Sequence, residues 1–254
     1  MSATSLHIKR TLRDLKIFYK DCPPGTFIYF DEADVTKLKV MVIGPKDTPY
    51  FGGFYCFDLN ITTSFPLVPP EAKFLTTDGK IRIGPNIYEN GKVCLSMLNT
   101  WGDKDWTPVQ NLLNIVVVFQ NILNDNPLNN EPNYYKSDKT VPQCYSYIGY
   151  VYYHNFVYSI CHILQFPPIG ELHQVMIDSF LENYQSYIDK CNELIKSEYN
   201  NIVANTIYGH ATKLDFKFAL NKLIETKKMI DNGTIVLSPL NKNYKEISDS
   251  MKGE

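Results

Sequence analysis

Cys94 is the residue whose neighbours single it out for chemistry. It closes the run Gly84-Pro85-Asn86-Ile87-Tyr88-Glu89-Asn90-Gly91-Lys92-Val93-Cys94. Asn90-Gly91 is a strong signal for a tight turn, and a turn just ahead of Cys94 is expected to hold its thiol at the lip of a groove. A thiol so placed is a candidate nucleophile. The bland alternative for any free cysteine is a small, inert hydrophobe, which is the expectation for Cys22, Cys56, Cys144, Cys161 and Cys191. No C-x-x-C pair occurs, and Cys161-His162 has no companions at ligand spacing, so no metal site is expected. His7, His154, His162, His173 and His210 all lie far from Cys94 in sequence, which weakens a cysteine-protease reading, since that needs a histidine base.

The elements that must position Cys94 belong to a chain of 254 residues, 44% hydrophobic and 20% charged, with net charge −2. That is enough apolar material for a real core, and one domain with an appendage is expected. The charge balance leaves no electrostatic footprint for nucleic acid. Residues 1–10 hold no apolar run, so no signal peptide is expected and the thiols should be free in a reducing compartment. Residues 140–170 lack Asp, Glu, Lys and Arg. Their tyrosines, His154, Asn155 and His162 suit a buried aromatic helix better than a membrane span.

A first helix is expected over 5–20, with Ile8, Leu12, Leu15 and Tyr19 on one face and Lys9, Arg10 and Arg13 among the residues covering the rest. Its basic face can equally be plain solvated surface. Pro23-Pro24-Gly25 ends it. Alternation predicts strands over 37–42, 54–61 and 72–75, and flanking prolines favour an antiparallel meander over a parallel nucleotide-binding sheet. No glycine-rich phosphate loop occurs. The irregular stretch 80–106 is long enough to be functional. Helices are expected after Pro108, over 144–165, 171–199 and 212–230, with a mobile tail from 231 to 254.

Asn86, eight residues before Cys94 within Pro-Asn-x(4)-Gly-x(2)-Cys-Leu, resembles the active-site signature of ubiquitin-conjugating enzymes. The family's other marks follow in order: Lys9-Arg10, Pro23-Pro24, Gly44-Pro45, Thr48-Pro49-Tyr50, Gly52-Gly53, Phe65-Pro66, Pro69-Pro70, Trp106-Thr107-Pro108, Asn126-Pro127 and Glu131-Pro132. Pro23-Pro24-Gly25-Thr26-Phe27, Asn90-Gly91-Lys92-Val93-Cys94-Leu95-Ser96, Thr100-Trp101 a few residues before Trp106, and Asn130-Glu131-Pro132 resemble most the Z-type branch. That likeness continues through Ser179-Phe180-Leu181-Glu182-Asn183-Tyr184 and Leu214-Asp215-Phe216.

The resemblance implies an α+β ubiquitin-conjugating fold: a four-stranded antiparallel meander flanked by helices, with a helical C-terminal extension. It implies a core with its helices over 1–197 and an extension with mobile tail over 198–254. Cys94 would accept ubiquitin or a ubiquitin-like modifier as a thioester from an activating enzyme and pass it to lysine, usually with a ubiquitin ligase. Asn86 would stabilise the oxyanion or brace the loop; a turn residue is its plain alternative. Glu131 would orient the incoming ammonium or help it lose its proton; its alternative is a solvated or helix-start carboxylate. Lys9, Arg10 and Arg13 match the face used for the activating enzyme. Leu67, Pro108 and Val109 match the loops on which ligases dock, with ordinary loop packing the rival for Leu67 and Val109.

No cofactor or metal, no nucleic acid and no membrane is implied, and the location would be cytoplasmic or nuclear. Two departures stand out. Gly84 replaces the family's usual histidine, which puts the rigidity of the loop in doubt. An insertion around Gly102–Asp105 either gates the groove or is a tolerated surface loop. The rival from another class is a conjugating-like scaffold without turnover. A thiol hydrolase is a third reading.

Overall fold

The computed structural model describes residues 5–103 and 105–253. Residues 1–4, Lys104 and Glu254 lie outside that range, and with them part of the amino-terminal reading and one residue of the expected insertion. The chain opens with helix α1 (Leu6–Asp21) and continues into strands β1 (Thr26–Asp31), β2 (Asp34–Ile43), β3 (Phe54–Asn60) and β4 (Glu71–Phe74). They pair antiparallel in the order β1-β2-β3-β4, the expected meander. The alternation did not mark β1.

Register explains the core. Val40 lies opposite both Ile28 and Phe57, and Phe57 opposite Phe74, so these side chains share one sheet face. Helix α2 (Leu112–Asn121) closes that face, with Phe119 stacked on Phe57 at 4.1 Å. An Asn111–Asn114 capping box starts α2, and Asp14 of α1 accepts a further bond from the Leu112 amide.

The buried face of α1 differs from the expected one. Thr11, Asp14, Leu15, Phe18 and Tyr19 are buried, while Ile8 and Leu12 stay partly open. Asp14 is drawn inward because Arg10 and the start of α2 both bond it.

The sheet's second face is not solvated either. Met41, Phe54 and Cys56 are fully buried. Chain beyond residue 154 covers this side: Lys39 pairs with Glu171 at 3.0 Å, and the Phe27 ring meets Tyr244 at 5.1 Å. Strands buried on both sides lose the clean alternation that sequence reading relies on.

The aromatic stretch forms α3 (Pro142–His154), a π-helical segment (Asn155–His162) and α4 (Ile163–Gln165), and α5 (His173–Lys196) returns across it. No helix among the described residues is long and apolar enough to cross a membrane. A hairpin, β5 (Val203–Asn205) and β6 (Ala211–Lys213), precedes α6 (Phe216–Asp231), so Thr212 and Lys213 are strand where helix was expected. The expected mobile tail carries α7 (Tyr244–Gly253), which packs against α1. The Tyr244 hydroxyl accepts from the Ile28 amide, so an amphipathic end segment finds a partner that its sequence did not name.

Candidate active site

Cys94 follows a loop closed by its own backbone. The Gly91 amide donates to Tyr88 O, with Gly91 at φ +87°, the conformation the Asn-Gly turn requires. Cys94 N donates to Asn86 O at 2.9 Å, and Asn86 Nδ2 returns a bond to Cys94 O at 2.9 Å. The two candidate residues therefore clasp one another. Asn86 donates one of its two Nδ2 hydrogens to the backbone, while its Oδ1 is buried without a partner among the described residues.

The expectation of a thiol at the lip of a groove needs correction. Cys94 is 4% exposed, and Sγ donates to the Thr100 carbonyl at 3.0 Å. Thr100 is fixed by its hydroxyl, which accepts from Leu95 N and donates to Val93 O. The stretch after Cys94 thus folds back over it through the turn Ser96–Leu98, ending at Asn99 in a left-handed conformation. Coverage comes from Thr100, just before the suspected insertion.

Gly84 leaves no slack loop. A β-carbon placed there would lie 3.3 Å from the Tyr50 hydroxyl. Tyr50 donates to Ile83 O and Tyr147 to Arg82 O, both at 2.8 Å. Two buried phenols hold consecutive carbonyls just ahead of Gly84.

Beside this loop lies a cleft of about 250 Å³, lined in part by Arg82, Asn86, Trp101, Glu131 and Tyr208. Glu131 Oε2 accepts from the Tyr208 hydroxyl at 2.8 Å. The Arg82 guanidinium is sandwiched between the Tyr88 and Tyr208 rings, 3.8 and 3.6 Å from their centroids, and Nη2 donates to Pro85 O. Glu131 stands at the start of the short turn Pro132–Tyr134, as its helix-start alternative has it, but its side chain makes no capping bond there.

The remaining thiols behave as hydrophobes. Burial pushes Cys56, Cys161 and Cys191 up to about 12 and raises Cys144 as well. No metal-holding group of His, Cys, Asp and Glu occurs among the described residues.

The surface candidates divide. Lys9 and Arg13 are exposed on α1. Arg10 is not free for a partner: Nε donates to Asp14 Oδ1 at 2.7 Å, Nη1 to Pro108 O at 2.7 Å and Nη2 to Gln110 O, and the guanidinium rests over Phe65. It is a strut between α1 and the start of α2. Leu67 (74% exposed) and Val109 (86%) stand out from two loops that Trp106 ties together by donating Nε1–H to Pro66 O at 2.7 Å. Pro108 is also exposed. Loop packing therefore does not account for Leu67 or Val109.

The sequence alone assigned no role to Arg82, Thr100 or Tyr208, although Thr100-Trp101 stood among the marks of the Z-type likeness. Tyr208 is more than a hundred residues from Cys94, and only folding brings it to the cleft. Thr100 carried a signal, since a Thr six residues after the thiol sits within loop reach.

The family model for ubiquitin-conjugating enzymes matches residues 10–142. The chain is 35% identical to human ubiquitin-conjugating enzyme E2 Z over 187 residues, covering 72% of this chain and 52% of that protein. The Xenopus tropicalis E2 Z is 35% identical over 196 residues, covering 75% and 62%. The chain thus spans about half the length of the human relative it matches. The structure of human ubiquitin-conjugating enzyme E2 G1 is 29% identical, covers 48% of this chain and 98% of its own, and aligns with a TM-score of 0.43. The matched segment runs from Arg10 through the Asn86–Cys94 clasp and past Glu131, and on that match the chain belongs to the ubiquitin-conjugating enzyme family.

Proposed function

We propose that this chain accepts ubiquitin or a ubiquitin-like modifier as a thioester on Cys94 and transfers it to a lysine. The observation that carries the reading is the reciprocal clasp of Asn86 and Cys94 beside a cleft containing Glu131. In loading, the Cys94 thiolate attacks the carbonyl of the activating enzyme's thioester, and that enzyme's thiolate departs. In transfer, the lysine nitrogen attacks the new thioester, a C–N bond forms, the C–S bond breaks, and the amine proton passes to Glu131 or water. Exchange between thioesters is nearly balanced, whereas amide formation is downhill, so positioning the amine is the main demand on the protein.

Lys9 and Arg13 are the cations available to an activating enzyme, with Arg10 holding the helix in place. Leu67, Pro108 and Val109 form the apolar surface suited to a ligase. All six cysteines are free, which suits the reducing cytoplasm or nucleus. A second reading, a scaffold without turnover, draws on the coverage of Cys94 by Thr100.

One experiment separates the two. Protein, activating enzyme, ATP and ubiquitin are mixed, and a reductant-sensitive adduct is sought with the native chain and with Cys94→Ala. The proposed function expects an adduct lost in the variant. An adduct that persists without the thiol, or none with ubiquitin or any ubiquitin-like modifier, overturns it. A ubiquitin ester that is rapidly hydrolysed instead would point to a thiol hydrolase.

A further inference from the structure

We propose that Tyr208, on the hairpin turn of the C-terminal extension, is a positioning residue for lysine attack, its hydroxyl fixing the Glu131 carboxylate in the cleft shared with Asn86. The inference rests on the function proposed above and assigns part of the lysine step to the extension.

The turn is built to present this side chain. Thr206 N donates to His210 O and Gly209 N to Thr206 O, closing the tip, with Gly209 at φ +83°. The buried Thr206 hydroxyl accepts from the Tyr208 and His210 amides. Ser146 of α3 anchors the hairpin through both the amide and the carbonyl of Asn205. Tyr208 therefore arrives on a preorganised turn, which lowers the entropy lost in holding one hydrogen bond.

Its ring has two supports. The Tyr147 ring meets it edge-on at 5.8 Å, and Arg82 covers it at 3.6 Å. Arg82 also bonds Pro85 O, so the stack bears on the loop that carries Asn86. Burial first, and then the Glu131 carboxylate, push the Tyr208 hydroxyl far above its ordinary range, so it keeps its proton and donates.

The bond occupies Oε2 of Glu131. A carboxylate offers about four acceptor sites. Fixing one oxygen restricts the side-chain torsions and leaves Oε1 to receive an ammonium. In that arrangement the ammonium first gives one proton to water to become the attacking amine; as the C–N bond forms the second passes by way of the carboxylate to water, the C–S bond breaks, and Cys94 leaves as thiolate. Attack by a thiolate has no proton to lose and no ammonium to orient, so it should not need the bond.

The test is single-turnover discharge of charged protein to free lysine and, in parallel, to dithiothreitol. Tyr208→Phe keeps the ring stack and removes only the hydroxyl. Expected results are normal loading, discharge to lysine slowed about tenfold, in line with a bond to a charged group, and unchanged discharge to dithiothreitol. Glu131→Gln should slow lysine discharge, and adding Tyr208→Phe to it should do nothing more. Lysine discharge at the native rate in Tyr208→Phe overturns the proposal. So does equal slowing with both nucleophiles, which would mark a structural role, or independent effects in the double variant. Failure of the native chain to charge at all overturns the underlying function, a result distinct from any of these.

Discussion

The Cys94 thiol donates its hydrogen to the carbonyl of Thr100, and the Thr100 side chain bridges the residues on either side of that cysteine. The group proposed to react is thus held by the loop residue whose carbonyl it bonds. Loading must break the Sγ–carbonyl contact. Thr100→Ala removes the two side-chain bonds while leaving the carbonyl, so alkylation of Cys94 by iodoacetamide should speed up several-fold, with about 1–2 kcal/mol lost from urea-unfolding stability. Peptide mapping of the alkylated thiol checks it, and an unchanged rate would show that Thr100 is not the cover.

Asn86 gives one of its two Nδ2 hydrogens to Cys94 O, which makes it a brace before any reaction begins. Asn86→Ala should lose about 1 kcal/mol of stability from that bond. If the amide also turns to the oxyanion, loading should survive while lysine discharge falls by at least tenfold, an effect typical of oxyanion donors. Discharge at the native rate would leave only the brace.

Arg10 and its neighbours on α1 should respond differently to the same change. Arg10→Ala breaks three hydrogen bonds and leaves Asp14, which burial already raises above its usual range despite Arg10, with the Leu112 amide but no ion-pair partner at Arg10. A loss of about 2–3 kcal/mol is expected by urea denaturation. Lys9→Ala and Arg13→Ala should stay within about 0.5 kcal/mol of native stability. Their effect should appear as slower, more salt-sensitive loading by the activating enzyme.

Leu67 and Val109 project from loops whose shape depends on Trp106, not on their own side chains. Leu67→Asp or Val109→Asp should therefore leave thermal stability and loading unchanged and abolish ligase-stimulated discharge. A drop in melting temperature of several degrees would instead make them packing residues.

His154 should set part of the acid stability. Burial lowers it to about 4, outweighing Asp78, which raises it; His210 lowers it further. Between pH 6.5 and 4 the unfolded chain binds this proton and the native chain does not, so stability is complete above pH 6.5 and falls with pH across that window. The expected loss is about 2 kcal/mol by pH 4.5. His154→Gln should flatten the pH dependence of urea unfolding relative to the native chain. Buried His173 shifts in the same direction, and its Nδ1 accepts from Ser238 N, so protonation there should also loosen the chain leading to α7.

Much of the architecture was legible because local rules carried it. The alternation of Leu38, Val40 and Val42, the greasy stripe of α2 and the Asn90-Gly91 turn each depend on neighbours a few residues away. The ordered series of prolines, glycines and Asn86 before Cys94 pointed to the family. Strand β1 was not marked, because it lacks clean alternation where both faces are covered. The buried face of α1 was misplaced, because Asp14 is drawn inward by an anchor on α2 that no helical period can show.

The amino-acid order by itself determined the family resemblance, three of the four meander strands, most of the helices and the Asn86–Cys94 loop, since covalent spacing and hydrophobic period are local quantities. Only the tertiary structure decided that Thr100 covers the thiol, that Arg10 is a strut, that two tyrosines steady the loop lacking histidine, and that Tyr208 reaches Glu131. Those relations join residues up to 100 positions apart in the chain. Such pairings arise from packing and hydrogen-bond satisfaction within the folded chain, where the separation that matters is measured through space.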